Sequence, residues 1–158
     1  MIKKERTKFN IEKDKSKRTY NGITFASKLE MNYYKDVILP NVESKQISYF
    51  ELQKKYELQP SFQLNGKTIK AINYIADFYI EYSNGEVEVI DTKGFPDNTA
   101  KLKRKLFWYK YPNIKYSWIS YSKIDGGWIT YEDLKKKREE RRKQRKFGND
   151  YICPENRK

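Results

Sequence analysis

The sequence predicts a domain of the α/β or α+β class, in which helices flank a mixed β-sheet. The first reason is the order of apolar patterns along the chain: helix, three strands, helix, strand, helix. The second is a pair of turn signals, Asn65-Gly66 and Ser83-Asn84-Gly85, between strand-like segments. The third is size, because 158 residues with 16% aromatic content suffice for one domain with a real core.

Two segments precede the strands. Residues 1–19 are polar and basic and show no periodicity, so we expect them to form a flexible arm. From Thr24 to about Leu39, apolar residues recur at every fourth position, which predicts a helix capped by Thr24. Pro40 is expected to end this helix, because proline removes a backbone donor. Residues 41–50 show no clear pattern.

Three strand-like segments follow. Tyr56–Leu64 alternates between apolar and polar residues after its proline, and Asn65-Gly66 is expected to turn the chain back. Ile69–Tyr82 is rich in β-branched and aromatic residues. After the turn at residues 83–85, Glu86–Lys93 reads as a strand that stops at Gly94. Residues 68–93 therefore predict a hairpin with a tight turn.

The remaining pattern is helix, strand, helix. Asn98–Tyr111 is helical, with Leu102, Leu106 and Tyr109 on one side and Pro112 after its end. Residues 114–121 alternate like a strand, and residues 130–146 predict a basic helix. The predicted organisation is thus a basic arm at 1–19, a core domain at 20–129, and a basic helix with a tail at 130–158.

The charge distribution favours a polyanionic partner. The net charge is +13, yet residues 19–134 hold 15 basic and 14 acidic residues. The excess lies in residues 1–18, with eight basic and three acidic residues, and in residues 135–146, with nine and two. Basic arms on a neutral body favour nucleic acid, since neutralised phosphates release counterions. The alternatives are solubility alone or an anionic membrane surface, but neither arm has the apolar stripe of an interfacial helix.

The absence of histidine limits the chemistry. The single cysteine, Cys153, cannot form an intrachain disulfide, and no histidine is present. These facts exclude Cys/His zinc sites, Ser-His-Asp triads and histidine general bases. A metal would need oxygen ligands, which favours Mg²⁺ or Mn²⁺. With no long apolar segment and no signal-peptide core, we expect an intracellular, cytoplasmic protein without membrane attachment.

Two aspartates and a lysine form the candidate chemical centre. Asp91 and Lys93 are two residues apart at a strand end, so their side chains point to one face. A turn centred near Asn84 places Asp77 opposite Asp91, since both are seven residues away. Carboxylates at that range repel unless a divalent cation bridges them. The alternative for Asp91 and Lys93 is a solvent-facing ion pair.

These groups suit phosphodiester hydrolysis. Two carboxylates can hold Mg²⁺, which polarises a phosphodiester and lowers the pKa of bound water. A neighbouring lysine can orient that water and stabilise the developing charge. Glu30, next to the apolar residue Leu29 of the first helix, is a candidate third carboxylate, and the alternative is an ordinary surface glutamate.

The ordered set of Glu30, Asp77 and Asp91-Thr92-Lys93 resembles the PD-(D/E)XK nuclease superfamily, whose pattern is a helix Glu, an Asp and (Asp/Glu)-x-Lys across a hairpin. Five segments also look like a phage-borne family of unknown function related to Holliday-junction resolvases. They are GITFASKLEMNYY, YELQPSF, YIADFYI, VIDTKG and KLFWYKYP, between residues 22 and 112. Ala76 stands where the superfamily name has proline.

This resemblance spans about residues 20–125 and implies a restriction-endonuclease-like core, a mixed sheet of four to five strands flanked by helices. It implies phosphodiester cleavage with Mg²⁺ or Mn²⁺. Asp77 and Asp91 would be metal ligands, Lys93 the catalytic lysine, and Glu30 the acid that completes the site directly or through water. Gln59 matches a position near the metal centre in several such nucleases and is a candidate DNA contact.

Further DNA contacts are expected outside this centre. The candidates on the helix after the lysine are Lys101, Lys103, Arg104 and Lys105, and the alternative is a solvated helix face. The arms at residues 3–18 and 135–146 are interpreted as phosphate clamps that add affinity without reading sequence. No sequence-reading module is recognisable.

The leading hypothesis is a metal-dependent endonuclease selective for branched DNA in phage recombination or replication, acting in the bacterial host cytoplasm. Two coordinated cuts across a junction predict a homodimer, with Tyr49 and Phe50 as candidate exposed interface aromatics. The alternatives are a restriction- or transposase-type nuclease on linear duplex, a non-cleaving binder of the same fold, and an RNA-binding protein. Paired acids repel nucleic acid, which argues against the last two.

Overall fold

The structure is a computed structural model that describes the backbone of residues 14–150 and the side chains of residues 14–145. Most of the predicted N-terminal arm, Cys153 and the last eight residues lie outside the described residues. Within the described residues, no helix is long and apolar enough to cross a membrane.

A five-stranded mixed sheet forms the centre of the domain. Its strands, in spatial order, are β3 (Ile47–Gln59), β6 (Ile72–Tyr82), β7 (Val87–Thr92), β8 (Lys115–Ser122) and β9 (Gly127–Thr130). Strands β7 and β8 are parallel, and the other neighbours are antiparallel. The predicted α+β fold, a mixed sheet of four to five strands flanked by helices, is confirmed.

Two small hairpins lie outside this sheet. Strands β1 (Thr19–Tyr20) and β2 (Ile23–Thr24) follow a 3₁₀ turn at Lys15–Arg18. Strands β4 (Phe62–Leu64) and β5 (Lys67–Ile69) flank the expected turn at residues 65 and 66. The predicted strand at residues 56–64 is therefore divided: residues 56–59 end the longer strand β3, and residues 62–64 form β4.

The first helix differs from its prediction at both ends. Helix α1 (Lys28–Tyr33) begins after Ser27, whose hydroxyl accepts a hydrogen bond from the Glu30 N–H, while Thr24 lies in β2. A π-helical turn (Tyr34–Ile38) leads into helix α2 (Leu39–Glu43). Pro40 does not end the helical segment. It lies in the first turn of α2, where its missing N–H is tolerated.

Helix α3 (Asn98–Lys110) connects β7 to the parallel strand β8. Leu102 is 57% exposed and Tyr109 is 88% exposed, so two of the three apolar residues on the side that the sequence indicates do not pack against the core. Phe107 is fully buried instead, against Tyr56 and Tyr74. Apolar residues lie on both sides of this helix, so periodicity alone did not identify the packed face.

Helix α4 (Tyr131–Asp150) follows the short strand β9, which the sequence patterns did not reveal. Leu134 anchors this helix in the core, and Arg141 pairs with Asp125 at 2.5 Å. Most of the described basic side chains of α4 are exposed: Lys135, Lys136, Arg138, Arg142, Lys143 and Arg145. The predicted basic helix thus presents its charge to solvent.

Candidate active site

The candidate site lies where strands β6 and β7 separate. Their pairing ends at Phe78 and Ile90, so Asp77 and Asp91 are the next residues across from each other. The Asp77 N–H points to Asp91 Oδ1 at 3.4 Å. Asp77 Oδ2 accepts hydrogen bonds from Thr92, from its N–H at 2.8 Å and its hydroxyl at 2.9 Å. Beyond this point, hydrogen bonds to the aspartate side chains take the place of backbone hydrogen bonds between β6 and β7. The predicted juxtaposition of the two aspartates is confirmed.

Asp91 is held in place by a cation and a phenol. Its side chain is buried, and Oδ2 lies 3.1 Å from the Lys93 Nζ. The Tyr116 hydroxyl, on β8, donates to the same oxygen at 3.2 Å, and Trp118 Nε1 donates to the Tyr116 oxygen at 2.9 Å. The buried hydroxyl of Tyr74 has no hydrogen-bond partner among the described residues. Lys93 itself remains about one-third exposed, so its ammonium group is accessible from solvent.

The third acid, Glu30, comes from helix α1. It is 2% exposed, and its Oε2 accepts a hydrogen bond from the Ala26 N–H at 2.9 Å. Together with the Ser27 cap, this contact makes a variant of the capping box, which explains part of why a glutamate occurs here. Its Oε1 accepts from Gln53 Nε2 at 2.7 Å. Glu30 is therefore not an ordinary surface residue.

Gln53 is a site residue that sequence reasoning missed. It lies on β3 between Leu52 and Lys54, which pair with the β6 neighbours of Asp77, so Gln53 is directly across from that aspartate. Its φ of 56° is unusual for a residue other than glycine, and such conformations concentrate at functional sites. Nothing in the local sequence distinguishes it from other polar strand residues.

The other predicted glutamine lies elsewhere. Gln59 pairs with Ile72 at the far end of the β3–β6 ribbon, five residues along β6 from Asp77. At about 3.3 Å per residue, this is roughly 17 Å from the aspartate pair. The structure therefore does not bring Gln59 to the carboxylates.

The carboxylates are electrostatically coupled. Burial, followed by the charges of Asp91 and Glu30, raises the pKa of Asp77 to about 7. Burial also raises the pKa of Glu30 above its ordinary value, despite its hydrogen bonds. Burial lowers the pKa of Lys93, but the neighbouring carboxylates, Asp91 foremost, outweigh this effect, so its pKa lies above the usual value. The cluster gains stability from any added positive charge.

The donor set fits a hard divalent cation. Among the described side chains, no group of three or more acidic, histidine or cysteine residues is placed to hold a metal ion together. Nevertheless, Asp77 Oδ1 accepts no hydrogen bond from the described residues, and the available donors are all oxygen atoms. Asp77, Asp91 and Glu30 repel one another, and a bound Mg²⁺ or Mn²⁺ would relieve this repulsion.

A groove of about 290 Å³ leads to Glu30 and Gln53. Its other walls come from the β1–β2 hairpin and from β3. Arg18 lines it and donates through Nη1 to the Phe25 carbonyl, while its Nε is buried without an acceptor among the described residues. The groove gives the buried carboxylate a route to solvent.

The predicted DNA-contacting residues of α3 divide into two pairs. Lys101 and Lys105 are exposed. Lys103 donates to the Asn73 carbonyl at 2.8 Å. Arg104 stacks on Trp118, with 3.5 Å from its guanidinium carbon to the ring centroid, and pairs with a glutamate on α4. Lys103 and Arg104 therefore stabilise the fold, whereas Lys101 and Lys105 remain available to a ligand.

The predicted interface aromatics also divide. Tyr49 is half exposed on the edge strand β3. Phe50 instead packs against the core, with its ring 5.9 Å from that of Tyr34, so the expectation of an exposed pair is wrong for Phe50. The alternation of side chains along a strand explains why neighbours face opposite sides.

The fold and this acidic site define a small α+β domain with a charged cleft. A family model described as "Protein of unknown function (DUF1064)" matches residues 6–126, and the chain belongs to this family. The match covers helix α1 and the whole β3–β8 region, and thus every candidate catalytic residue. No curated protein matches the chain.

Proposed function

We propose that the chain is a metal-dependent DNA endonuclease that hydrolyses phosphodiester bonds, with a preference for branched DNA. The observation that carries this function is that Asp77 and Asp91 face each other where strands β6 and β7 separate. Lys93 forms an ion pair with Asp91, and the buried Glu30 interacts electrostatically with both aspartates. Three acids and a lysine serve no packing purpose that apolar residues would not serve better.

In this function, Asp77 and Asp91 hold Mg²⁺ or Mn²⁺, with Glu30 as a third acid directly or through water. A cation held there would polarise the phosphodiester and lower the pKa of a water molecule beside it. Lys93 stays protonated beside Asp91, where it orients the attacking water and stabilises the negative charge that develops on the phosphate. Gln53 fixes Glu30, and Thr92 fixes Asp77, so the acids are positioned before substrate binds.

The surface charge supports a nucleic-acid substrate. Lys101 and Lys105 are exposed on α3, the helix that follows the catalytic lysine, and α4 carries an exposed row of cations. These residues suit phosphate contacts, which position a duplex but carry no sequence information. Recognition of shape is therefore favoured over recognition of sequence, which is the basis for preferring branched DNA. Paired cuts across a junction would require a homodimer.

The test is a cleavage assay with Mg²⁺ on a labelled four-way junction and a matched linear duplex. We expect wild type to cut the junction preferentially, and Asp91→Asn and Lys93→Met to lose at least about a hundredfold in rate. Matched controls are Glu86→Gln, an exposed acid at the other end of the same hairpin, and Lys123→Met, an exposed lysine after β8. Both controls should cut like wild type.

Other outcomes separate the alternatives. Equal cutting of both DNAs that depends on Asp91 would support the restriction- or transposase-type nuclease and refute junction preference. Binding without cleavage in Mg²⁺ and in Mn²⁺ would refute catalysis and leave a nucleic-acid-binding protein of the same fold. Cleavage that survives Asp91→Asn would show that the nuclease activity does not belong to this site.

A further inference from the structure

The β4–β5 hairpin projects from the domain as a separate arm. It joins β3 to β6 but belongs to its own two-stranded sheet, and every residue from 60 to 70 is exposed. An isolated two-stranded hairpin is only marginally stable in water. Its side chains therefore contribute little to the core, and their identity calls for another explanation.

One face of this arm carries three apolar side chains and one lysine. Phe62 pairs with Ile69 and Leu64 pairs with Lys67, so these four side chains share a face. The exposed fractions are 44% for Phe62, 53% for Leu64 and 36% for Ile69. The opposite face is polar, with a hydrogen bond of 2.9 Å between the side chains of residues 63 and 68. Such an apolar patch marks a binding surface.

The charge of the arm selects the class of partner. Between Glu57 and Asp77 the chain contains no acidic residue, and its only charged side chains there are Lys67 and Lys70. Two arms packed against each other would bring four lysines together, with no acid from either arm to compensate them. A polyanion, by contrast, complements both lysines and tolerates the apolar face.

We propose that the β4–β5 arm is a second DNA-contacting element, which lies in the major groove of the duplex that flanks the cut. A two-stranded ribbon fits the width of that groove, and apolar side chains there contact thymine methyl groups. Lys67 and Lys70 contact the phosphates on the groove walls. This contact rests on the proposed function, because the arm would bind the same duplex that the acidic site cleaves.

The distance between arm and site matches DNA geometry. Strand β6 begins at Ile72, and Asp77 is five residues further on, which corresponds to roughly 17 Å. At about 3.4 Å per base pair, the base of the arm lies about five base pairs from the aspartates, near half a helical turn. Gln59, the predicted DNA contact, lies at the base of the same arm.

The test is binding of a labelled duplex of about 30 base pairs in EDTA, measured by fluorescence anisotropy across a salt series. The charge variant is Lys67→Gln with Lys70→Gln, and the apolar variant is Phe62→Ser with Leu64→Ser. The matched control, Lys123→Gln with Ile124→Ser, removes an exposed lysine and an 83% exposed isoleucine next to β9, at the opposite edge of the sheet.

We expect the charge variant to bind at least about tenfold more weakly at 0.1 M salt, with the slope of log K against log salt reduced by about 1.8. The apolar variant should weaken binding with an unchanged slope, and the control should match wild type. Light scattering and thermal melts of every variant report oligomeric state and folding.

Two results would overturn the assignment. If both arm variants bind within twofold of wild type, the arm does not contact DNA. If the apolar variant converts a dimer into a monomer while DNA affinity is unchanged, the arm is a self-association surface. Because binding is measured without metal, arm-dependent binding by a protein that never cleaves would sustain this contact while refuting the nuclease. Cleavage by a protein whose DNA binding does not depend on the arm would sustain the nuclease and refute this contact.

Discussion

Replacing Asp77 by asparagine should stabilise the metal-free protein at pH 8, although it removes a residue of the proposed active site. Asp77 faces Asp91 and lies within the electrostatic influence of Glu30, so these negative charges destabilise its ionised form in the folded protein. Asparagine removes the charge but keeps an oxygen that can accept the two hydrogen bonds from Thr92. The gain in stability would show that the native cluster is strained in the absence of a cation.

The magnitude follows from the pKa. Folding raises the pKa of Asp77 from 3.8 to about 7, and each pH unit is worth about 1.36 kcal/mol, so ionisation costs up to about 4 kcal/mol. The folded protein keeps this proton to higher pH than the unfolded chain. The free energy of unfolding therefore falls as pH rises from about 4 to about 7, and stays low above it. For a chain of this length, about 1 kcal/mol corresponds to roughly 2–4 °C in Tm.

Thermal melts in EDTA at pH 5 and pH 8 measure this effect. Between pH 5 and pH 8, the Tm of wild type should fall more than the Tm of Asp77→Asn. At pH 8, millimolar Mg²⁺ should raise the Tm of wild type more than that of the variant. The control Glu86→Gln should follow wild type at both pH values. A variant no more stable than wild type at pH 8 in EDTA would refute the reasoning about charge repulsion.

Two further predictions concern the residues that position the acids. Tyr116→Phe removes the hydroxyl that donates to Asp91, and single-turnover cleavage should slow by about tenfold with unchanged DNA affinity; equal rates would contradict this role. Gln53→Gly should be more stable than Gln53→Ala to urea by about 1 kcal/mol, because glycine adopts the positive φ without strain. Both Gln53 variants should slow cleavage, since Glu30 loses its amide partner, and alanine as stable as glycine would argue against strain.

The hairpin shows how far local sequence can predict a site. The turn near Asn84 determines the register of β6 and β7, and register alone brings Asp77 opposite Asp91. The two-residue spacing of Asp91 and Lys93 then places both on one face, as their 3.1 Å contact confirms. Each step depends on residues close in sequence, so each was predictable.

Long-range packing decided what the local patterns left open. Leu102 and Tyr109 share one side of the helix with Leu106, yet Phe107 occupies the core because Tyr56 and Tyr74 arrive from distant strands. A helix with apolar residues on two sides has two possible buried faces. Only the surface it packs against selects one of them.

The sequence by itself determined the fold class, the paired aspartates with their lysine, and the excess of basic residues toward the ends of the chain. The tertiary structure alone decided that Glu30 is buried, that Gln53 holds it from 23 residues away, and that the arm at residues 60–70 stands free of the sheet. The physical reason is the range of the interactions. Turns and strand periodicity act between neighbours, whereas burial and hydrogen bonds between distant elements depend on the whole packed fold.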